Sequence, residues 1–246
     1  MNAENIQRSR FRRRVLTLLA APLALVACVV SPQPSPPDPD LSGDGIELLD
    51  PGTEELDGFL AFEAAPGSVT PAGGVVIVTN LDGTDAPSTV PVRDDGSFAV
   101  ALPGFPNNVV RFQVDNDGAR SEPIDLAVDA TGQNASIVDD EPACLRIDPS
   151  RFLPLDGAGD TQTIVLTNDC ADTIQIDAPR LRRGRAPISF SPTQPFDIAP
   201  GENGFVTVRA LGEAEVPGAN ETEDVLFFEI VGPTPARRAV TVTLPD

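Results

Sequence analysis

The chain has 246 residues, 17 basic and 37 acidic, for a formal net charge of −20, and it contains no histidine, lysine, tryptophan or tyrosine. Those absences exclude Ser-His-Asp and Cys-His nucleophile pairs, His-ligated metal centres, lysine Schiff bases and a phosphate-loop lysine. The charge disfavours nucleic acid and anionic lipid surfaces as partners.

At the N-terminus, Arg8, Arg10 and Arg12-Arg13-Arg14 precede an apolar run from Val15 to Ala27, broken only by Thr17 and Pro22. A basic start, a short apolar middle and a small residue before a cut are the parts of an export signal. An uncleaved membrane-spanning anchor would need about 20 apolar residues, more than this Pro-interrupted run supplies. The closing stretch Leu25-Val26-Ala27-Cys28 resembles the signal box of bacterial lipoproteins. That resemblance implies cleavage before Cys28, a diacylglyceryl thioether on its sulfur, and a mature chain held to a membrane of the cell envelope by lipid. Val29 is not the Asp that retains such proteins at an inner membrane, which points to the outer membrane or cell surface where there are two. Arg12-Arg13-Arg14-Val15-Leu16 is also similar to a twin-arginine export motif without its preceding Ser or Thr, and the export route stays open. With residues 1–27 removed, 12 Arg face 36 carboxylates, a net of −24. Cys28 being acylated in this reading, Cys144 and Cys170 remain as a pair in an oxidising compartment, where a disulfide persists.

Residues 28–57 carry Pro32, Pro34, Pro36, Pro37, Pro39 and Pro51 among many Asp and Glu, without apolar periodicity. They read as a disordered, semi-extended acidic tether. Asp40 to Gly45 has the oxygen spacing of the start of a calcium loop, but Pro51 stands where the bidentate Glu belongs, so no metal is expected.

From Gly58 the texture becomes short apolar runs separated by Gly, Pro, Asn and Asp, the pattern of an all-β chain. Strands are expected at 59–64, 75–79, 89–93, 97–102, 109–115 and 124–128. Asp94-Asp95-Gly96 reads as a hairpin turn in which Gly supplies the positive φ. Phe59, Phe62, Val76, Val78, Phe98, Val100, Val110 and Phe112 are the expected interior. Asp115-Asn116-Asp117-Gly118 reads as a turn rather than a metal site. The run Gly67-Ser68-Val69-Thr70, then Gly73 to Asn80, Asp95-Gly96-Ser97-Phe98 and Asp117 to Ser121 resembles bacterial Ig-like domains. A carboxypeptidase-regulatory-like sandwich is a close alternative with the same consequence, and either implies a β-sandwich over 58–130.

Residues 131–142 are small and acidic and read as an interdomain linker. A second β run then starts at Cys144, with strands expected at 161–167, 173–177, 188–191, 204–210, 225–231 and 239–244. Leu166-Thr167-Asn168, Ile174-Gln175-Ile176, Pro195 to Glu202 and Val206-Thr207-Val208 resemble abnormal-spindle/hydin-type Ig-like domains. Arg209-Ala210-Leu211 replaces that family's Phe-x-Pro. The resemblance implies a second sandwich over 143–246, with the first strand antiparallel to the second, so that Cys144 lies beside Cys170. The pair has no Cys-x-x-Cys spacing, so its expected role is structural.

Arg180-Leu181-Arg182-Arg183-Gly184-Arg185 is the one basic cluster of the acidic chain. Arg180, Arg182, Arg183 and Arg185 are candidate contacts for an acidic partner. The alternative is that they are solvated or pair with the protein's own carboxylates. With no aromatic residues interleaved, nucleic-acid binding has little support.

The fold class expected is therefore all-β, two Ig-like sandwiches in tandem after a signal and a tether. No catalytic residue, cofactor or metal ligand is expected. The function expected is a lipid-anchored envelope protein that meets an unknown envelope protein, or else a structural spacer of an envelope assembly. An enzyme or carbohydrate binder fits less well, since sugars usually stack on Trp or Tyr.

Overall fold

A computed structural model describes residues 38–49, 58–212, 214–219 and 221–245, so the signal and Cys28 lie outside the described residues. What they show is all-β, with no α-helix.

In the first sandwich a three-stranded sheet has the order β2 (Ile46–Leu48), β3 (Phe59–Ala64), β7 (Phe98–Pro103). It faces a larger sheet ordered β11 (Ala135–Ile137), β10 (Ile124–Val128), β8 (Val109–Asn116), β5 (Val75–Asn80), β6 (Ser88–Pro91). Short β9 (Ala119–Arg120) pairs with β8, and β1 (Asp40–Leu41) pairs with β4 (Val69–Thr70). Alternation along β3 and β7 turns Leu60, Phe62, Ala64, Phe98, Val100 and Leu102 inward, as period-two side chains require. Phe62 meets Phe112 of the facing sheet edge-on at 5.1 Å between ring centres.

Phe59 departs from the expected core and is 42% exposed. Phe59 and Phe62 are three apart, so one strand cannot turn both to the same face. The tether is also shorter than expected. Leu41 and Ile46 are buried in the first core on either side of a 3₁₀ turn, Gly43–Gly45, and β2 pairs with β3 from Ile46↔Ala64 to Leu48↔Phe62. Two apolar anchors in a Pro- and Asp-rich stretch suffice to add a strand, so residues 40–48 belong to the sandwich. The linker expected at 131–142 likewise begins as structure, because β11 pairs with β10. The turn at Asp95-Gly96 is present, with Gly96 at φ +80, Gly96 N–H donating to Arg93 O and Arg93 N–H to Ser97 O, both at 2.9 Å. A Cβ on Gly96 would stand 2.6 Å from the Val69 carbonyl oxygen. The flanking strands do not form a hairpin, however, since β6 joins the larger sheet and β7 the smaller.

The second sandwich sets a sheet ordered β12 (Leu145–Asp148), β14 (Thr161–Asn168), β19 (Asn203–Ala210), β17 (Ile188–Ser191). Opposite lies β13 (Phe152–Pro154), β21 (Ala236–Thr243), β20 (Glu223–Gly232), β15 (Ile174–Ile176), β18 (Phe196–Ile198), with β16 (Arg180–Leu181) attached to β20. Ile164, Leu166, Val206 and Val208 pack with Leu226, Phe228, Val240 and Val242 in one core. β12 runs antiparallel to β14 with Leu145 opposite Asn168, and Cys144 is bonded to Cys170 with 5.0 Å between Cα atoms. Asn168 is fully buried and fully used: its Nδ2 donates to Asp172 O and Ile198 O, and its Oδ1 accepts from Cys170 N–H. That network fixes the chain reversal beside the disulfide.

Candidate functional site: the seam between the sandwiches

Residues 38–246 form one compact unit, and the seam joining its two sandwiches is where the buried polar chemistry gathers. In most of this fold each strand shows one buried face. Strands β8, β20 and β21 differ: residues 110–114, 224–228 and 238–243 are buried at every position. Both faces of these strands are therefore covered, one by the strand's own core and the other by the opposite sandwich. Leu81 and Val109 of the first sandwich meet Val225, Phe227 and Ala239 of the second in a small apolar cluster.

Around that cluster arginines join the halves. Arg111, 2% exposed, stands opposite Asp125 in the β8–β10 register. Its Nε and Nη2 donate to the two carboxylate oxygens at 2.7 and 2.8 Å. The remaining donors cross the seam: Nη2 to Ala239 O at 2.7 Å, Nη1 to Thr241 Oγ1 at 2.9 Å and to Arg151 O at 3.3 Å. Arg182 crosses in the opposite direction. Its guanidinium donates to the carbonyls of Asn80, Gly83 and Asp85 at 2.9, 3.0 and 2.8 Å, so one side chain caps the loop after β5. Burial pushes the Arg182 pKa down, with Asp224 opposing. Arg237 meets Asp82 at 2.6 Å, while the other Asp82 oxygen accepts from Val109 N–H. Arg120 reaches Glu223 at 2.8 Å, and Arg151 donates to Asp140 and to the carbonyls of Pro123 and Val138. A planar group with five donors suits this bridging of several acceptors, which a lysine ammonium would not reproduce.

The four arginines of the basic cluster thus have different fates. Arg182 is buried in the seam, where its Nη1 and Nη2 donate to backbone carbonyls of the first sandwich. Arg183 has a buried side chain 2.8 Å from Glu221. Arg180 is half exposed, pairs with Glu229 and lies 4.6 Å over the Phe227 ring. Arg185 is largely exposed and 3.9 Å from Glu221. Pairing within the protein describes Arg180 and Arg183, and only Arg185 remains largely open. The loop after β16 is shaped by Asp224, whose carboxylate accepts from the backbone N–H groups of Arg183 and Gly184.

Arg182 Nε, Arg183 Nε and Arg238 Nη1 are buried without a hydrogen-bond partner among the described residues, and Glu221 Oε2 has only the ion-pair contact with Arg183 Nη1 at 2.8 Å. Among those residues no three acidic or cysteine side chains converge in a way that could hold a metal. Sequence reading missed Arg111, Asp125, Arg120, Arg151 and Arg237. The available signal was the run Val225-Leu226-Phe227-Phe228, apolar at both strand parities and so marking a strand covered on both faces; along Val109 to Val114 the polar Arg111 and Gln113 leave an ordinary alternation that gives no such signal.

No family model and no curated protein sequence matches the chain. Matches to solved structures are at low sequence identity. A Caenorhabditis elegans MSP family member, WR4, is 10% identical with a TM-score of 0.33, covering 42% of this chain and 98% of its own. SSP-19, an MSP-domain protein of the same organism, is 16% identical with a TM-score of 0.34, over 42% of this chain and 100% of its own. A protein of unknown function from Porphyromonas gingivalis is 14% identical with a TM-score of 0.34, over 78% and 93%. The fold itself is two β-sandwiches in tandem.

Proposed function

We propose that this chain is a non-catalytic envelope lipoprotein, fastened through Cys28, whose two Ig-like sandwiches present surfaces to another envelope protein. The observation that carries the reading is the seam. Its arginines hold two acidic sandwiches together through carboxylates and carbonyls of the chain itself, so the two are offered to a partner in one fixed arrangement. The lipid anchor rests on the sequence of residues 8–28. With the first sandwich starting near Asp40, the ten residues 28–37 between lipid and body span at most about 35 Å fully extended. The partner would then lie close to the membrane.

Mass spectrometry of the exported protein tests the anchor: a diacylated N-terminal Cys28 is expected, and residues 1–27 still attached to a free thiol would refute it. Crosslinking in living cells tests the partnership, with one reproducible protein adduct expected. The seam also favours a second reading, a spacer of fixed length, because a joined pair of sandwiches holds distance well. A spacer would yield no adduct and would fail when residues 28–37 are shortened.

A further inference from the structure

The smaller sheet of the first sandwich faces away from the seam and has an unusual outer surface. Its rows, read across β2, β3 and β7, are Glu47, Glu63 and Ala99, then Leu49, Ala61 and Ala101, then Phe59 beside Pro103. Leu49, Phe59 and Phe105 are 39, 42 and 63% exposed, three of the six exposed large apolar side chains among the described residues. Phe105 lies against Gly58, next to Phe59: a Cβ on that glycine would be 3.9 Å from its ring. Glu47 and Glu63 stand directly opposite each other. Neither has an ion-pair partner among the described residues, and like charges so placed are destabilising.

The edge of this sheet is open as well. Gly104 N–H donates to Gly58 O, and Leu49 N–H to Ala61 O. With the β3–β7 register and the alternation of antiparallel pairs, Leu60, Phe62 and Ala64 bond to β7 while Ala61 and Glu63 turn their backbone toward β2. On β7 the N–H and C=O of Ala99 and Ala101 therefore point out of the sheet, and both residues are exposed. Pro103, next along, offers no N–H, and its carbonyl already accepts from Asn80 Nδ2 at 3.0 Å.

We propose that the β7 edge accepts an extended segment of a partner polypeptide by strand addition, the segment carrying a basic side chain and, two residues away, an apolar one. A residue paired with Ala99 shares the outer face with it. With strands about 4.8 Å apart, an arginine or lysine there passes over the Ala99 methyl to Glu63 and relieves the repulsion with Glu47. The side chain paired with Ala101 lies over Ala61 and Phe59. The small alanines leave room for both. The nearest arginine in sequence, Arg93, is engaged with Ser97 Oγ and does not supply this charge. The occupant is a polypeptide strand because the surface combines backbone donors and acceptors with side-chain rows. This proposal rests on the protein-binding reading above and names the surface and the chemistry of the partner.

The test uses the mature chain in detergent and two labelled decapeptides, one alternating threonine with arginine, isoleucine and phenylalanine, the other with glutamate for arginine. The arginine peptide is expected to bind at least tenfold more tightly and to slow amide hydrogen exchange at Ala99 and Ala101. Glu63→Arg should reverse the preference. Ala101→Pro, which removes only an outward N–H, should weaken binding at least tenfold with the melting temperature little changed. Equal binding of the two peptides, or undiminished binding to the Ala101→Pro protein, would overturn the proposal. So would dimerisation through β7, seen by sedimentation and lost on Ala101→Pro, since the occupant would then be a second copy. Photocrosslinkers placed in cells at position 99 and, separately, at Phe205 or Val231 on other exposed faces tell the two readings apart. An adduct only from the latter pair sinks this surface and leaves the binding reading intact, whereas none from any position sinks both.

Discussion

Replacing Arg111 with methionine keeps an apolar stem of similar reach and deletes the guanidinium. Five hydrogen bonds go with it, two to Asp125 and three across the seam. Asp125, 7% exposed, is left as a buried carboxylate without its counter-ion. Breaking one side of a buried pair costs about 3–5 kcal/mol. For a body of this size each kcal/mol moves the melting temperature by about 2–4 °C, so a fall of about 6–20 °C is expected. Calorimetry or far-ultraviolet circular dichroism is the assay of choice, since the chain lacks Trp and Tyr and intrinsic fluorescence would report little. Arg146→Met is the control. Its ion pair with Asp169 is as short, 2.6 Å, but largely exposed, and exposed pairs contribute little. The wild-type body should unfold in one transition, and Arg111→Met should separate it toward two. If both variants melt alike, or if the wild type already shows two transitions, the seam does not couple the sandwiches.

Arg182→Glu sets a carboxylate against three carbonyls, so calorimetry should show a loss of stability comparable to that of Arg111→Met. Reducing the Cys144–Cys170 bond, 26 residues apart in sequence, should lower stability by about 3–4 kcal/mol on chain-entropy grounds, measured by denaturant unfolding with and without reductant. Phe62→Ala should cost about 3–5 kcal/mol in the same assay and Phe59→Ala less than about 0.5; equal costs would contradict the facing assigned to β3. Hydrogen bonds from Asn134 and Thr131 hold the Asp129 carboxyl below its ordinary pKa. A depressed folded-state pKa contributes stability that is present above the unfolded value near 3.8 and is lost as pH falls through the folded one. Asp129→Asn should therefore flatten the acid limb of a melting-temperature-against-pH curve below about pH 5 and leave its shape near neutrality unchanged.

Much of the strand pattern was legible because alternation is a local property. The bounds of β3, β10 and β17 coincide with those expected from sequence, and most of the other long strands shift by one or two residues. The strands that escaped reading are short. β4, β9 and β16 have two residues each, too few for any period to show, and they exist because a longer neighbour offers an edge. β1 and β2 were hidden by composition: the prolines and aspartates around them signal disorder, and only the burial of Leu41 and Ile46 outweighs that signal. The misplaced Phe59 is a different kind of miss, since the period-two rule applied to Phe62 already places it outside.

The seam was less legible, and the reason is physical. Arg111 and Asp125 are 14 residues apart and become neighbours only through the register of β8 on β10. Thr241 and Ala239 join them from 130 and 128 residues away. A cluster such as Arg180 to Arg185 is conspicuous in sequence because its charges are adjacent, yet adjacency along a chain says little about where each side chain goes. Arg182 and Arg183 are consecutive, and one caps a loop of the other sandwich while its neighbour pairs with Glu221 in its own. Two acidic sandwiches would otherwise repel. Six of the twelve arginines in residues 28–246, namely Arg111, Arg120, Arg151, Arg182, Arg237 and Arg238, lie where the two meet, and there they turn that repulsion into cohesion. The same distribution leaves Glu47 and Glu63, on the outer face of the β2-β3-β7 sheet, with no balancing arginine among the described residues.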